Sequence, residues 1–203
     1  MTKLVKIILT CALVSCSTAS FAISDTAWLE SYTLEISGEY QKAINVITED
    51  LETPSLREFA HMRSAWLKYL LGKHSQSIGY YKKAIKINPK SIDARSGLIL
   101  PLIAQGRWAE VERSAKQILK LAPSNYQARV YLMAVAEKKR SWEALRGLAL
   151  VVVASYPSQV DAWVYLARSE HHLGNDLRAS QAYNNVLIRY PSNLEAIAYF
   201  KNR

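Results

Sequence analysis

The chain has 203 residues with 26 basic and 17 acidic side chains, a formal net charge of +9, and two cysteines. Both cysteines, Cys11 and Cys16, lie in an N-terminal leader, so the remainder is excluded from a disulfide-stapled fold and from thiolate metal chemistry. Removing that leader leaves about 180 residues, enough for one elongated domain rather than two globular cores. It also removes Lys3 and Lys6, taking +9 to +7, a balance that favours acidic partners or an anionic membrane surface.

The first predicted element is an export signal. Lys3 and Lys6 precede the apolar run Ile7 to Val14, too short to span a bilayer and followed by small residues. Two processing readings stay open. Ser20-Phe21-Ala22 is a small-x-small site, giving a signal peptide over 1–22 and a mature chain over 23–203. Leu13-Val14-Ser15-Cys16 resembles a bacterial lipobox, giving a lipoprotein signal over 1–15 with Cys16 lipidated. Either reading places the protein outside the cytoplasm, in the periplasm or anchored at the outer membrane.

From there on the chain repeats itself every 34 residues. Pro89, Pro123, Pro157 and Pro191 form one ladder with that step, and Ala60, Ala94, Ala128, Ala162 and Ala196 form a second. Gly38, Gly72, Gly106 and Gly174 form a third, with Arg140 on the missing rung. A fixed period of this size is the mark of stacked helix-turn-helix units. The glycines predict left-handed turns between paired helices, and the prolines end each second helix. The units fall at 24–57, 58–91, 92–125, 126–159 and 160–193, with a capping segment at 194–203.

The fifth unit carries Ala162, Trp163, Leu166, Ala167, Gly174, Ala179, Tyr183, Val186 and Pro191 in the order small, large, small, turn and stop. In this it resembles the tetratricopeptide repeat (TPR) family. The resemblance covers roughly residues 25 to 203 and implies an all-α, right-handed superhelical solenoid of about five units plus a short C-terminal capping helix. It further implies that the first helices line a concave side, on or near which the frame puts Trp28, Tyr32, Phe59, Met62, Arg63, Trp66, Tyr69, Leu100, Tyr131, Glu137, Tyr165 and Arg168. The family's Lys, Asn and Arg clamp for a C-terminal carboxylate is not carried over, because the corresponding positions are mostly aromatic or apolar.

Three units depart from the pattern. The first ends loosely, at Pro54, as a terminal unit with one free side can. The third holds Pro101 inside its first helix, which predicts a bend or break there. The fourth puts Arg140 where glycine is expected, at a cost of ~1 kcal/mol if the left-handed geometry is kept.

Catalysis finds no support in the sequence. The seven glycines are never spaced as in a dinucleotide-binding loop or a nucleophile elbow. His171 and His172 are adjacent, so on a helix they point about 100° apart and cannot chelate as an i, i+4 pair. His61 and His74 read as packing residues, and Glu49, Asp50 and Glu52 as a solvated acidic cluster. No metal, cofactor or nucleic acid is expected.

Function is therefore expected at surfaces. The concave aromatic set, Trp28 to Arg168, is the candidate groove for a protein or peptide partner, since Trp, Tyr and Arg dominate binding hot spots. A second surface is an apolar rung on the outer face of the fourth unit, Ala144, Leu148 and Val151, proposed for self-association or partner contact unless Gly147 distorts that helix and buries them. Lys82, Lys83, Lys86, Lys90 and Arg95 form the densest positive region. The expected role is a non-enzymatic scaffold in the bacterial cell envelope. The alternatives are a pilotin-like lipoprotein that helps assemble a pilus or secretion pore, its only membrane link the lipid anchor, and an accessory subunit recruiting a cell-wall or polysaccharide enzyme.

Overall fold

A computed structural model describes residues 19–202; the leader, Cys16 and the lipobox fall outside them, whereas Ser20-Phe21-Ala22 lies within the first helix. The described residues form eleven α-helices and no strand. In chain order these are α1 (Ala19–Ile36), α2 (Tyr40–Asn45), α3 (Arg57–Leu70), α4 (His74–Ile87), α5 (Ile92–Ala104), α6 (Trp108–Leu121), α7 (Tyr126–Lys138), α8 (Trp142–Ser155), α9 (Val160–His172), α10 (Asp176–Arg189) and α11 (Leu194–Lys201). Each helix packs on the next, and the first helices of neighbouring units also touch, α3 with α5 and α7 with α9. Neighbours approach most closely on the inside of a curve, so the odd-numbered helices line the concave side. This is the all-α solenoid of five helical hairpins plus a cap that the sequence implies.

Each ladder has a mechanical role. Gly38, Gly72, Gly106 and Gly174 all take positive φ, between 67° and 77°, and Arg140 keeps the same turn at φ 54°. The Arg140 turn closes with Arg140 N–H donating to the Glu137 carbonyl at 2.8 Å and Ser141 N–H to the Ala136 carbonyl at 2.9 Å. Those two bonds satisfy carbonyls that a helix end would otherwise leave open. The alanines sit where helices meet, and all five are fully buried. Three of them, Ala94, Ala128 and Ala196, also donate their backbone N–H to the capping side chains Ser91, Asn125 and Asn193, each cap worth about 1 kcal/mol. The carbonyls of the ladder prolines are tied down from the next helix: Arg95 donates to Pro89 at 2.8 Å, Arg129 to Pro123 at 2.8 Å and Trp163 to Pro157 at 2.9 Å.

The irregular units show how packing overrides local preference. In the first, α2 covers only six residues before a 3₁₀ turn at Glu49–Leu51. The β-branched run Val46-Ile47-Thr48 follows α2 directly, and the Thr48 hydroxyl donates to the Ile44 carbonyl, both of which weaken helix continuation. Of the bend or break expected at Pro101, the break does not occur: α5 runs without interruption to Ala104, with Pro101 fully buried. Proline removes one N–H and crowds the carbonyl four residues earlier, which here belongs to Gly97. A buried setting among Leu98, Ile99 and Leu102 holds the helix through that defect.

Candidate functional site

The N-terminal half of the concave side holds a groove of ≈ 790 Å³ between α1, α3 and the start of α5. On α3, Phe59, Met62, Arg63, Trp66 and Leu70 recur at i, i+3, i+4, i+7 and i+11, so one helical face supplies one wall. Tyr32, Glu35 and Ile36 of α1 supply the other, with Tyr40, Tyr81 and Asp93 completing the lining.

The polar groups of this groove are largely engaged with each other. Arg63 is only 5% exposed. Its guanidinium pairs with Glu35, donates to the Ser31 carbonyl at 2.9 Å and the Ser31 hydroxyl at 3.2 Å, and lies 3.9 Å from the Tyr32 ring centroid. The Trp66 indole N–H donates to the other Glu35 oxygen at 2.7 Å. This network binds α1 to α3. It also engages the charges of the α1 and α3 walls with each other, leaving Tyr32 (45% exposed), Phe59 (45%) and Ile36 (88%) as their most open side chains. At the base, burial, with Tyr69 nearby, pushes the Tyr81 hydroxyl up to about 12, so it is a neutral donor.

Tyr32, Phe59, Met62, Arg63 and Trp66 thus line one groove, in which Arg63 serves as a tie between helices rather than as a free cation. Trp28 packs at a tilt on Phe59 with centroids 4.7 Å apart; burial and Glu49 raise the pKa of Asp50 against a lowering effect of the Trp28 indole. Tyr69 lies beside the groove, stacked on Trp66 at 5.6 Å and packed on His74 at 5.4 Å. Tyr131 and Tyr165 are half-buried farther along, and burial raises the pKa of both.

Arg168 is also committed internally. It donates to Glu137 at 2.8 Å and to Glu195 at 2.9 and 2.6 Å, joining α7, α9 and α11. Hydrogen bonding to Glu195 leads the effects that raise its pKa. For Glu195 itself burial acts upward, but the bonds from Arg168 and Tyr183 outweigh it and hold the carboxyl below its ordinary range. A smaller depression of ≈ 650 Å³ lies toward the turns of the third to fifth units, where Trp142 stacks on His172 at 3.9 Å.

Glu35, Ile36, Tyr40, Leu70, Tyr81 and Asp93 were not assigned to the groove by sequence. The signal for three of them was present: Glu35 and Ile36 follow Tyr32 by three and four residues, and Leu70 follows Trp66 by four. On the outer face, Ala144 and Val151 are exposed and Leu148 is half-buried against the core. α8 runs unbroken through Gly147. Among the described residues no group of His, Cys, Asp and Glu could hold a metal ion, and no helix is long and apolar enough to cross a membrane.

A tetratricopeptide-repeat family profile matches residues 59–91, the second unit and the α3 wall of the groove. No curated protein sequence matches the chain. Solved structures do match in fold. YrrB, described as a TPR protein with an unusual peptide-binding site, is 14% identical, with 91% of this chain and 98% of that one covered at a TM-score of 0.73. A tetratricopeptide repeat protein from Parabacteroides merdae is 13% identical, with 86% and 70% covered at 0.77. MamA from Desulfovibrio magneticus is 13% identical, with 85% and 97% covered at 0.73. At such identities the likeness is one of fold.

Proposed function

We propose that this chain, with the fold of a TPR solenoid, is a non-enzymatic adaptor that holds a segment of a partner protein in the groove between α1, α3 and α5. The observation that carries this reading is the state of the α1 and α3 walls: Glu35 and Arg63 neutralise each other, so the surface these walls leave open is aromatic and apolar, with Asp93 an exposed carboxylate at the α5 edge. Such a surface selects large apolar or aromatic side chains, presented at helical spacing or from an extended peptide. YrrB, a TPR protein with an unusual peptide-binding site, supports the same use of the same fold.

The proposed place of action is the cell envelope, supported by Lys3, Lys6 and the apolar run Ile7 to Val14. Lipidation at Cys16 would turn the adaptor into an outer-membrane assembly factor, and the mass of the mature N-terminus separates that form from one beginning at Ile23.

The test places a photo-crosslinking residue at Tyr32 or Phe59 in the cell and compares capture with that of Trp66→Ala. A hot-spot indole is worth roughly 2 kcal/mol or more, about thirtyfold in affinity. Far-UV dichroism should stay native, because Arg63 still joins α1 to α3. Unfolding of Trp66→Ala would make the indole a core residue and refute its binding role, and cross-links mapping only to the outer face would refute the groove.

A further inference from the structure

The outer face, formed by the second helices, holds a pattern that the groove does not use. Because the units repeat every 34 residues, equivalent outward positions can be compared rung by rung. Lys82, Lys83 and Lys86 on α4 correspond to Lys116, Gln117 and Lys120 on α6, then to Leu150, Val151 and Ala154 on α8. The last of these rows continues to Ile188 on α10. Two basic rungs thus lie beside an apolar one. All of these side chains are exposed, with Leu150 and Val151 at 48% and Ile188 at 68%.

Glu110 and Glu112 neutralise Lys82 and Lys116. Lys83, Lys86, Arg113 and Lys120 have no carboxylate partner among the described residues. Arg95, Arg113, Lys116 and Lys120 surround a notch of ≈ 310 Å³ between α5 and α6. Exposed carboxylates are densest in the first unit, at Glu30, Glu49 and Glu52 together with Glu39, which pairs with Lys42; on α8 the exposed Glu143 is paired with Arg146.

From this arrangement we infer that the outer face of α4, α6 and α8 docks on the surface of an anionic lipid bilayer. Unpaired cations attract acidic headgroups, and apolar side chains beside them enter the boundary between headgroups and acyl chains. An acidic protein partner would satisfy the cations but would leave no use for the exposed Leu150–Val151 rung next to them. The acidic first unit would be repelled from the same surface, so the concave groove would face away from the bilayer and stay open to its partner. This contact is separate from any lipid on Cys16 and does not depend on the groove being a binding site.

Co-sedimentation of the full chain with vesicles tests it, using phosphatidylglycerol with phosphatidylethanolamine against phosphatidylcholine alone. Every variant carries the same N-terminus, so the leader's contribution cancels. Wild type should prefer the anionic vesicles, and the combined Lys83→Gln, Lys86→Gln, Arg113→Gln and Lys120→Gln variant should bind them about a hundredfold or more weakly. Leu150→Ser with Val151→Ser should keep low-salt binding but lose whatever persists in about 0.5 M NaCl, where exposed charges are screened. All of these substitutions are on the surface, and thermal melts by far-UV dichroism confirm that the variants fold. Equal binding to both vesicle types, or undiminished binding by the four-site variant, overturns the inference and returns the basic rungs to an acidic protein or to solvent.

Discussion

Replacing Gly97 by alanine sets two known effects against each other. In the middle of α5, alanine is a better helix former than glycine by about 1 kcal/mol. A Cβ at this position, however, would stand 2.5 Å from Cζ and 2.6 Å from the hydroxyl oxygen of Tyr81, which is 5% exposed and forms the base of the groove. Overpacking of this kind costs typically ~1–3 kcal/mol, so Gly97→Ala should be destabilising by up to about 2 kcal/mol despite its helix propensity. In a Tyr81→Leu background the obstructing ring atoms are gone, and the same substitution should stabilise by about 1 kcal/mol. The cycle therefore predicts a coupling of roughly 1–3 kcal/mol between residues 81 and 97. Urea unfolding followed by far-UV dichroism measures all four proteins. If Gly97→Ala alone raises the midpoint as an ordinary helix glycine would, Tyr81 does not occupy that space and the described base of the groove is wrong.

Arg140→Gly should stabilise the fold by about 0.5–1 kcal/mol, because relief of the left-handed arginine exceeds the extra freedom that glycine brings to the unfolded chain. Both turn hydrogen bonds are made by backbone atoms and survive, so a melting temperature that fails to rise would contradict the strain. The cap α11 should loosen in acid. Glu195 has a folded pKa below its reference value of 4.5, so its contribution is complete above that value and is lost as pH falls through the lowered one. Hydrogen-exchange protection of α11 amides, relative to their intrinsic rates at each pH, should fall over that range. Glu195→Gln should weaken the cap by about 1 kcal/mol at neutral pH, allowing for solvent screening, and remove the pH dependence. An unchanged acid response in Glu195→Gln would assign it to another group.

The architecture was legible because it is written in local, repeated chemistry. Positive φ at the glycine ladder, helix ends before the prolines and buried alanines each depend on residues within a few positions of one another, and their period survives in a linear string. The α3 face of the groove was legible for the same reason, since Phe59, Met62 and Trp66 share a face by helical spacing alone. The fate of the charges could not be read that way. Arg63 meets Ser31 and Glu35 across about thirty residues, and Arg168 meets Glu137 and Glu195 across similar intervals, so only the docking of one unit on the next decides that these cations are ties and not ligands for a partner. Tertiary packing likewise decides that Pro101 stays within an unbroken helix, and which cations of the outer face, such as Lys83, Lys86, Arg113 and Lys120, are left without a carboxylate among the described residues. The sequence thus determines how each unit folds, while which side chains remain free for function depends on distances between units that no local pattern encodes.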